Sequence, residues 1–377
     1  MKLEKRVMDY IESQSNEAKS LLMTLARIPA PSHFEQKRAE FCLEWLKRAG
    51  AQNAYIDSAI NVIYPVGNTD GYVNVICAHS DVVFSDTEEL PLREENGKLF
   101  CPGIGDNSAN VTALLIAARY IAQNELTPAE GGLLIVINSA EEGLGNLKGT
   151  RKLVEDYAGR IREFISFDSS DNAVITKAVG SKRYRVEIKT EGGHSYNGFG
   201  NRNAIYYLSS LIHTLYDMRV PDVGKTSFNV GVIKGGTSVN TIAQQAEMLY
   251  EFRSDEPNAL TIMQTHFQEA ISYYRTKGIE VNFELIGDRP CSGDVDEERM
   301  KALTERAVTA VKNHFGKEPQ LAPGSTDCNI PLSLGIPAVC LGCYSGKGAH
   351  TREEYVQTDS LFKGLKVALE VTLGYFN

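Results

Sequence analysis

The sequence predicts an α/β fold that is interrupted by a smaller α+β domain. Strand patterns alternate with helical patterns up to about residue 180, and these strands are apolar almost throughout, as in a sheet covered by helices on both faces. From residue 181 to residue 290 the order becomes strand, helix, strand, strand, helix, strand, which is typical of a split α/β sandwich. We therefore expect residues 1–180 and 291–377 to form a three-layer domain, with residues 181–290 inserted as a second domain.

The elements of the first domain follow from the spacing of apolar residues. Helical spacing covers residues 1–26 and 35–49, ahead of the strand patterns "NAYIDSAINVIYPVG" and "YVNVICAHSDVV". A helix "NVTALLIAARYIAQN", a strand "GGLLIVINSA", a helix near "KGTRKLVEDYA" and a strand "REFISFD" come next. After the insertion, a helix "ERMKALTERAVTAVKNHFG" and a strand "IPAVCLGCYS" complete the domain. The ends of such strands are where ligands usually bind.

The inserted domain begins with the alternating strand pattern "KRYRVEIKTEGG". A helix "NAIYYLSSLIHTLYDM" leads to two strand patterns, "TSFNVGVIKGG" and "QAEMLYEFRSD". A second helix "NALTIMQTHFQEAISYYRTKG" and a strand "EVNFELIGD" close it. Its pattern is that of an independent α+β sandwich.

Composition narrows the class of partner. The formal net charge is -9, from 48 acidic and 39 basic residues, which argues against nucleic acid or an anionic membrane as a partner. A small molecule or a peptide remains open as the substrate. No run approaches the roughly 18 apolar residues of a membrane span, and the charged, helical N-terminal segment is unlike a signal peptide. A cytoplasmic protein is expected.

The seven cysteines are scattered along the chain, mostly inside apolar runs. This distribution is typical of buried free thiols in a reducing compartment. Cys340 and Cys343 form the only CxxC pair. Because no second pair accompanies it and the segment has a strand pattern, we expect this pair to be structural, with redox or metal-binding activity as the alternative.

Acidic residues follow two apolar strands and precede one apolar helix. Glu141 and Glu142 stand side by side in "NSAEEGLG", where a solvated turn is the alternative explanation. Asp168 closes the strand "FISFD" and has the same ambiguity. Asp106 in "GIGDNSAN" lies just before a helix, where a plain N-cap is the alternative.

Two histidines can join these four carboxylates. His79 and Asp81 in "AHSDVV" share one face if the strand continues that far, a spacing that suits a metal ligand and the carboxylate that orients its ring, although a purely structural pair is the alternative. His350 follows a glycine-rich loop in "GKGAHTREEY". So many carboxylates at one sheet edge would repel each other unless cations neutralise them. Two metals sharing one carboxylate fit this set, and zinc suits imidazole and carboxylate donors best, with cobalt or manganese as alternatives.

These motifs match a known family. The series "AHSDVV", "GIGDNSAN", "SAEEGLG", "FDSSD", "GGHS" and "GAHTREEY" resembles the M20 family of metallopeptidases, which includes peptidase T, carboxypeptidase G2, dipeptidases, desuccinylases and aminoacylases. The match covers almost the whole chain, in order and spacing. It implies a zinc-exopeptidase catalytic domain with an inserted lid and dimerisation domain.

The resemblance implies a ligand set for two divalent metal ions. His79 and Asp168 would hold one metal, and Glu142 and His350 would hold the other. Asp106 would bridge the two.

The resemblance also implies two supporting roles. Asp81 would orient the ring of His79, and Glu141 would be the general base. Because neighbouring side chains on an extended backbone point opposite ways, Glu142 can face a metal while Glu141 faces the attacking water. Glu141 would then pass the proton of that water to the leaving amine.

The resemblance also implies roles for three residues of the inserted domain. His194 in "EGGHSYNGFG" would reach into the site of a partner subunit and stabilise the tetrahedral oxyanion, which implies a homodimer through the inserted domain. Asn240 in "GGTSVNTIA" and Arg253 in "YEFRSDEP" would hold the carboxylate or the carbonyl of the substrate. Taken alone, each of the three is also compatible with an ordinary turn, loop or strand-end residue.

The chain departs from the family beside the bridging aspartate. Many members carry "DDKxG" there, whereas this chain has "DNSAN", so Asn107, Ser108 and Asn110 replace an aspartate, a lysine and a glycine. This change alters the charge near the substrate, so substrate preference does not transfer from any one member. The family also predicts a cis peptide bond between Asp106 and Asn107.

The predicted function is hydrolysis of an amide bond in small peptides by an exopeptidase, more like an aminopeptidase of di- or tripeptides than a carboxypeptidase. The first alternative is an N-acyl-amino-acid deacylase, which would use the same metals and base. A non-catalytic relative that binds a metabolite is a further alternative, although retention of the whole ligand set argues against it.

Overall fold

A computed structural model describes residues 3–376 of the chain. The chain divides into two compact units. The first unit contains the described residues up to Ala178 and from Gly293 onward, and the second unit is Val179–Ser292. The second unit includes all residues that the sequence assigns to the inserted domain. Its role in covering the site or in dimerisation stays a prediction.

The helices, in chain order, have the following bounds: α1 Lys5–Arg27, α2 Gln36–Arg48, α3 Asn110–Gln123, α4 Lys148–Asp156, α5 Ala204–Tyr216, α6 Pro257–Thr276, α7 Glu297–Phe315, α8 Asn329–Ser333 and α9 Thr358–Leu373. The strands are β1 Tyr55–Ile56, β2 Val62–Gly67, β3 Val73–His79, β4 Arg93–Glu95, β5 Lys98–Phe100, β6 Gly132–Asn138, β7 Ile161–Phe167, β8 Ala173–Ala178, β9 Gly180–Lys189, β10 Gly193–His194, β11 Thr226–Gly235, β12 Thr241–Ile242, β13 Gln245–Ser254, β14 Glu280–Arg289, β15 Gln320–Gly324, β16 Ala338–Leu341, β17 Gly346–Lys347 and β18 Tyr355–Gln357.

The first unit is built on a mixed sheet in the order β1-β2-β6-β3-β7-β16-β8-β15. Strands β6, β3, β7 and β16 run parallel to one another, and β2 joins β6 antiparallel. Alternate residues of β6 enter different cores. Ile135 packs with helices α1, α2, α3, α7 and α9, whereas Val136 packs with α4 and α8. The sheet is therefore the middle of three layers, and the predicted α/β class is confirmed.

Several strands of the first unit have no counterpart in the sequence prediction. Strand β15 is an edge strand with mostly exposed residues and contains Pro323, so it lacks the apolar run that marks an interior strand. A small antiparallel sheet, β17-β18-β5-β4, consists of strands of two or three residues. Strands of this length are too short to show a hydrophobic period.

The second unit contains an antiparallel sheet in the order β11-β13-β9-β14 and a short pair of β10 with β12. Alternate residues of β13, such as Met248, Tyr250 and Phe252, are buried in a core that they share with α5 and α6. Strand β11 forms an edge of this sheet, and most of its residues are exposed. The order of strands and helices is the one that the sequence predicts.

Among residues 3–376, the structure contains no helix that combines the length and the apolar character needed to cross a bilayer.

Candidate metal centre

Three neighbouring strands bring four of the predicted site residues to one edge of the sheet. Strand β3 ends at His79, Asp168 follows β7 directly, and Glu141 and Glu142 lie just beyond β6. Because β6, β3 and β7 are adjacent and parallel, their carboxyl ends meet at the same edge. The sheet topology therefore explains why residues far apart in sequence converge.

Asp106 and His350 reach this edge from irregular segments. Asp106 lies in the irregular helical turn Ile104–Ala109, and the predicted cis peptide bond between Asp106 and Asn107 is confirmed. Asp106 is not the N-cap of α3, because Ala109 occupies that position. His350 precedes β18 with a φ of 66°, in the left-handed region that non-glycine residues seldom adopt.

The donor atoms form two groups that share Asp106. In the first group, Nε2 of His79 lies 3.0 Å from Oδ1 of Asp106 and 3.2 Å from Oδ1 of Asp168. In the second group, Nε2 of His350 lies 3.2 Å from Oδ2 of Asp106 and 3.2 Å from Oε1 of Glu142. The two oxygens of Asp106 thus face different groups, as the carboxylate between two metals must.

The donor set fits divalent metal ions. Two nitrogen or oxygen atoms bound tetrahedrally to one zinc ion lie about 3.3 Å apart, which follows from bonds of about 2.0–2.1 Å. The separations of 3.0–3.2 Å within each group are close to this value. In addition, Nδ1 of His79 lies 3.1 Å from the carbonyl oxygen of Asp81, so a neutral ring carries its proton on Nδ1 and directs the lone pair of Nε2 at the carboxylates. The lone pair of Nε2 and the carboxylate oxygens repel each other, and a cation between these atoms removes that repulsion.

Asp81 holds both the ligand ring and the glutamate pair. Strand β3 ends at His79, so the two residues do not lie on one continuous strand, yet Oδ1 of Asp81 is 3.4 Å from Nδ1 of His79. The backbone N–H groups of Glu141 and Glu142 donate to Oδ1 and Oδ2 of Asp81, each at 2.9 Å. Ser32 donates its hydroxyl to Oδ2 at 2.6 Å. Asp81 therefore connects His79 of the first donor group to the turn that carries Glu142 of the second.

The pKa values reflect competition between burial and opposite charge. Burial alone would raise the pKa of Asp106, but its contacts with His350 and His79 hold that pKa well below the usual value. Contacts with Asp106 and Glu142 raise the pKa of His350 to about 10. Burial raises the pKa of Glu142 to about 7, against the lowering effect of His350. Protons on these groups and bound cations thus act alike, because both offset the repulsion among the carboxylates.

Glu141 is buried and belongs to the same cluster. One of its carboxylate oxygens, one of Glu142 and a ring nitrogen of His79 all lie within 4.8 Å of one another. The solvated-turn explanation is therefore wrong for both glutamates, which are 4% and 6% exposed. A buried carboxylate beside candidate metal ligands is placed to exchange protons with a water molecule there.

Two buried side chains at the centre have no assigned role in the sequence prediction. Glu35 accepts the backbone N–H of Ala140 at 2.9 Å, where the chain has a φ of 54° just before Glu141. Arg38 is fully buried and donates to the carbonyl oxygen of Ser80, between His79 and Asp81, at 2.8 Å. Both are charged residues among other polar residues near the start of α2. No local sequence pattern therefore distinguishes them from surface residues.

His194 lies in the second unit, in a short hairpin where β10 pairs with β12. Its Nδ1 accepts backbone N–H groups from Tyr196 at 3.2 Å and Asn197 at 3.4 Å. The neutral ring therefore carries its proton on Nε2, which is the donor that an oxyanion requires. The side chain is exposed, and its predicted role stays a prediction.

Asn240 and Arg253 are also in the second unit. The backbone carbonyl of Asn240 accepts the N–H of Ser195 at 2.9 Å, so Asn240 lies beside the His194 turn. The guanidinium of Arg253 is engaged by both carboxylate oxygens of Glu251, each at 3.0 Å. A substrate carboxylate would have to share or replace this ion pair, and the role of Arg253 stays a prediction.

The family follows from comparison with known proteins. Residues 75–373 match the family model described as Peptidase family M20/M25/M40. This chain belongs to peptidase family M20. The resemblance seen in the sequence motifs is thereby confirmed, and this M20 chain is a metal-dependent hydrolase that acts on amide bonds.

Individual relatives differ in activity. The acetylornithine deacetylase of Myxococcus xanthus is 26% identical over 306 residues, which cover 76% of the M20 chain and 76% of the deacetylase. A Staphylococcus aureus tripeptidase has a TM-score of 0.73 at 19% identity, covering 95% of this chain and 97% of its own. A dinuclear metal binding peptidase of Bacillus subtilis has a TM-score of 0.63 at 18% identity, covering 97% and 100%. The two structural matches are below 25% identity and bear on the fold alone.

Proposed function

We propose that this M20 chain is an exopeptidase that cleaves an amide bond in di- or tripeptides at a centre of two divalent metal ions. The observation that carries the proposal is the geometry of Asp106, whose two oxygens face two separate donor groups. Zinc is the metal best suited to imidazole and carboxylate donors, with cobalt or manganese as alternatives. The four clustered carboxylates supply the negative charge that two divalent cations would neutralise.

Each proposed ligand has a defined place. One metal would be held by His79 and Asp168, the other by Glu142 and His350, with Asp106 shared. When bound, the metals would lower the pKa of a water molecule and polarise the scissile carbonyl. Everything else in the reaction is assigned to side chains of the protein.

Glu141 is the proposed general base and acid. It takes a proton from the attacking water as the oxygen of that water bonds to the scissile carbonyl carbon. It then gives the proton to the nitrogen of the leaving amine as the carbon–nitrogen bond breaks. Asp81 supports this role by fixing the backbone N–H groups of Glu141 and Glu142.

The second unit is proposed to complete the site for the substrate. The Nε2 proton of His194 would be donated to the oxyanion, and Asn240 and Arg253 would hold the carboxylate or carbonyl end. His194 would act in the site of a partner subunit, in a homodimer formed through the second unit. The exposed edge strand β11 supports such an association, because an unpaired strand edge can pair with a second copy.

A cytoplasmic location is part of the proposal. All seven cysteines are buried free thiols, which supports a reducing compartment.

An N-acyl-amino-acid deacylase is the second candidate, and the similarity to the Myxococcus xanthus deacetylase favours it. Both reactions cut an amide bond with the same metals and base. They differ in whether the acyl side of the substrate carries a free amine.

Matched substrates distinguish the two candidates. We would measure amide hydrolysis by the zinc-loaded protein on free di- and tripeptides and on the same compounds with acetylated N-termini. The proposal expects cleavage of the free peptides. Preference for the blocked compounds would contradict the exopeptidase assignment in favour of a deacylase, and cleavage of neither set would contradict both.

A further inference from the structure

Glu354 is a buried carboxylate that the proposed reaction leaves without a role. The residue is 1% exposed and lies in the first unit, four positions after His350. Burying a carboxylate is costly unless several hydrogen bonds compensate for the lost water. The identity of its partners therefore indicates what Glu354 does.

Those partners are backbone N–H groups of the segment that carries Asp106. Oε1 of Glu354 accepts the N–H of Asp106 at 2.7 Å and that of Gly105 at 2.9 Å. Oε2 accepts the N–H of Gly103 at 2.8 Å. One carboxylate thus binds three donors within four residues, including the N–H of the proposed bridging ligand itself.

This segment needs such an acceptor because its backbone is not a regular helix. Asp106 has φ -102° and ψ 89°, and Asn107 has φ -130° and ψ 18°, outside the helical region. N–H groups at a buried irregular turn cannot rely on a regular hydrogen-bond ladder, and buried donors must be paired. The carboxylate of Glu354 supplies the acceptors and so determines where the Asp106 side chain starts.

The same residue connects both irregular segments of the centre. Its backbone carbonyl accepts the N–H of Cys101 at 3.2 Å, and its own N–H donates to Thr351, next to His350, at 3.3 Å. The loop that carries His350 is thereby attached to the turn that carries Asp106. The donors of the other metal, His79 and Asp168, are instead held at strand ends.

We propose that Glu354 is a positioning residue for the metal centre, which fixes Asp106 and His350 relative to each other so that the second donor group can hold its metal. This inference rests on the proposed dinuclear centre. Glu354 contacts backbone rather than substrate or metal, so it acts through Asp106 and His350. Removal of the Glu354 carboxylate weakens binding of the metal shared by Asp106, Glu142 and His350 more than binding of the metal at His79.

The test is the substitution Glu354→Gln, with Glu353→Gln as the matched control. A glutamine keeps the size of the side chain but turns an N–H group toward the N–H of Gly103, so one acceptor becomes a donor. Glu353 is the adjacent residue, with a side chain that is 72% exposed and paired with Arg93 at the surface. The same chemical change is thus made inside and outside the network.

Cobalt binding is the main measurement, because it does not depend on turnover. We would count cobalt ions per chain during titration with a chelator, record the visible absorption spectrum of the bound cobalt, and measure kcat, KM and the Tm of the metal-free protein. Loss of a positioning contact around a metal ligand weakens metal binding about 10- to 100-fold. We expect E354Q to release one of two cobalt ions at a chelator concentration that leaves wild type and E353Q with both.

The expected kinetic result is a fall in kcat of about tenfold or more with little change in KM, together with an altered cobalt spectrum. An E354Q protein that keeps both ions and the wild-type spectrum, while its metal-free Tm falls, would show a purely structural role and overturn the inference. If E354Q does not fold, E354D keeps the charge at a shorter reach, and wild-type cobalt affinity in E354D overturns it equally. Wild-type protein that binds no cobalt would overturn the proposed function and this inference with it.

Discussion

The predicted residues of the first unit and those of the second unit are held in very different ways. At the candidate metal centre, buried carboxylates fix the backbone of the segments that carry the proposed ligands, as Asp81 does for Glu141 and Glu142. In the second unit, His194 and Asn240 are exposed, and the hydrogen bonds that orient them come from their own hairpin region. One group is organised by long-range contacts within a single unit, and the other by local contacts.

The difference separates two functions that a single activity assay would combine. A preorganised cluster that is largely buried, with His350 as its exposed member, can bind metal in one chain by itself. An exposed histidine such as His194 can only donate its Nε2 proton to the oxyanion of a substrate that is bound elsewhere. Metal binding is therefore expected to be independent of His194, whereas turnover is expected to require both groups.

The largest effect is expected at Glu141, within the first group. Glu141→Gln removes the base and keeps the shape of the side chain, so kcat should fall by about 10²- to 10⁴-fold while two metal ions remain bound. Glu130→Gln is a suitable control, because Glu130 is an exposed glutamate in a surface ion pair with Arg162. Full activity of a metal-loaded Glu141→Gln protein would refute the mechanism.

A somewhat smaller effect is expected at His194, in the second group. His194→Asn should lower kcat by about 10²- to 10³-fold, as loss of one oxyanion donor does, without changing metal content. His213→Asn is the control, because His213 lies in the same unit and its side chain is 78% exposed. Loss of metal from the His194→Asn protein would contradict the expectation that metal binding is independent of His194.

Mixing the two inactive variants tests whether His194 acts across subunits. A mixed dimer of Glu141→Gln and His194→Asn chains contains one site with both residues intact. Random mixing should therefore restore about a quarter of wild-type activity in a two-fold dimer. If no activity returns, His194 acts within its own chain or the protein does not exchange subunits, which a tagged-subunit exchange control resolves.

The smallest effect concerns protons released on metal binding. The raised pKa of His350, about 10, means that the metal-free ring keeps its proton at neutral pH, whereas a ligand ring must be neutral. Metal binding at pH 7.5 should then release at least one proton, that of His350, and the apparent affinity for metal should rise with pH until the pH approaches 10. Calorimetry in buffers of different ionisation enthalpy measures this. His194→Asn should release the same number of protons, and zero release in the wild type would contradict the assignment of His350.

The site residues at the strand ends could be predicted from the sequence, because the residues at the carboxyl ends of parallel strands lie at the same edge of the sheet. His79, Glu142 and Asp168 each follow an apolar run that is visible in the sequence, and the structure brings them together. The roles of Asp106 as the bridge and of His350 as a ligand of the second metal follow only from the resemblance to the family, since both residues lie in irregular segments whose geometry has no simple period.

The supporting carboxylates could not be predicted in the same way. Glu354 lies inside the motif "GAHTREEY", next to the exposed Glu353, and no local pattern distinguishes the two. Their difference arises from a contact with residues about 250 positions earlier, between Glu354 and the turn at Gly103. Such contacts depend on the tertiary fold, as does the attachment of Glu141 to Asp81.

The most direct test of the account is to locate the metals. Anomalous diffraction from zinc-loaded crystals, recorded on both sides of the zinc absorption edge, shows the number of zinc ions and their positions. We expect two peaks, one at His79 and Asp168 and the other at Glu142 and His350, each about 2.0–2.2 Å from a different oxygen of Asp106. A single peak, or peaks away from Asp106, would contradict it.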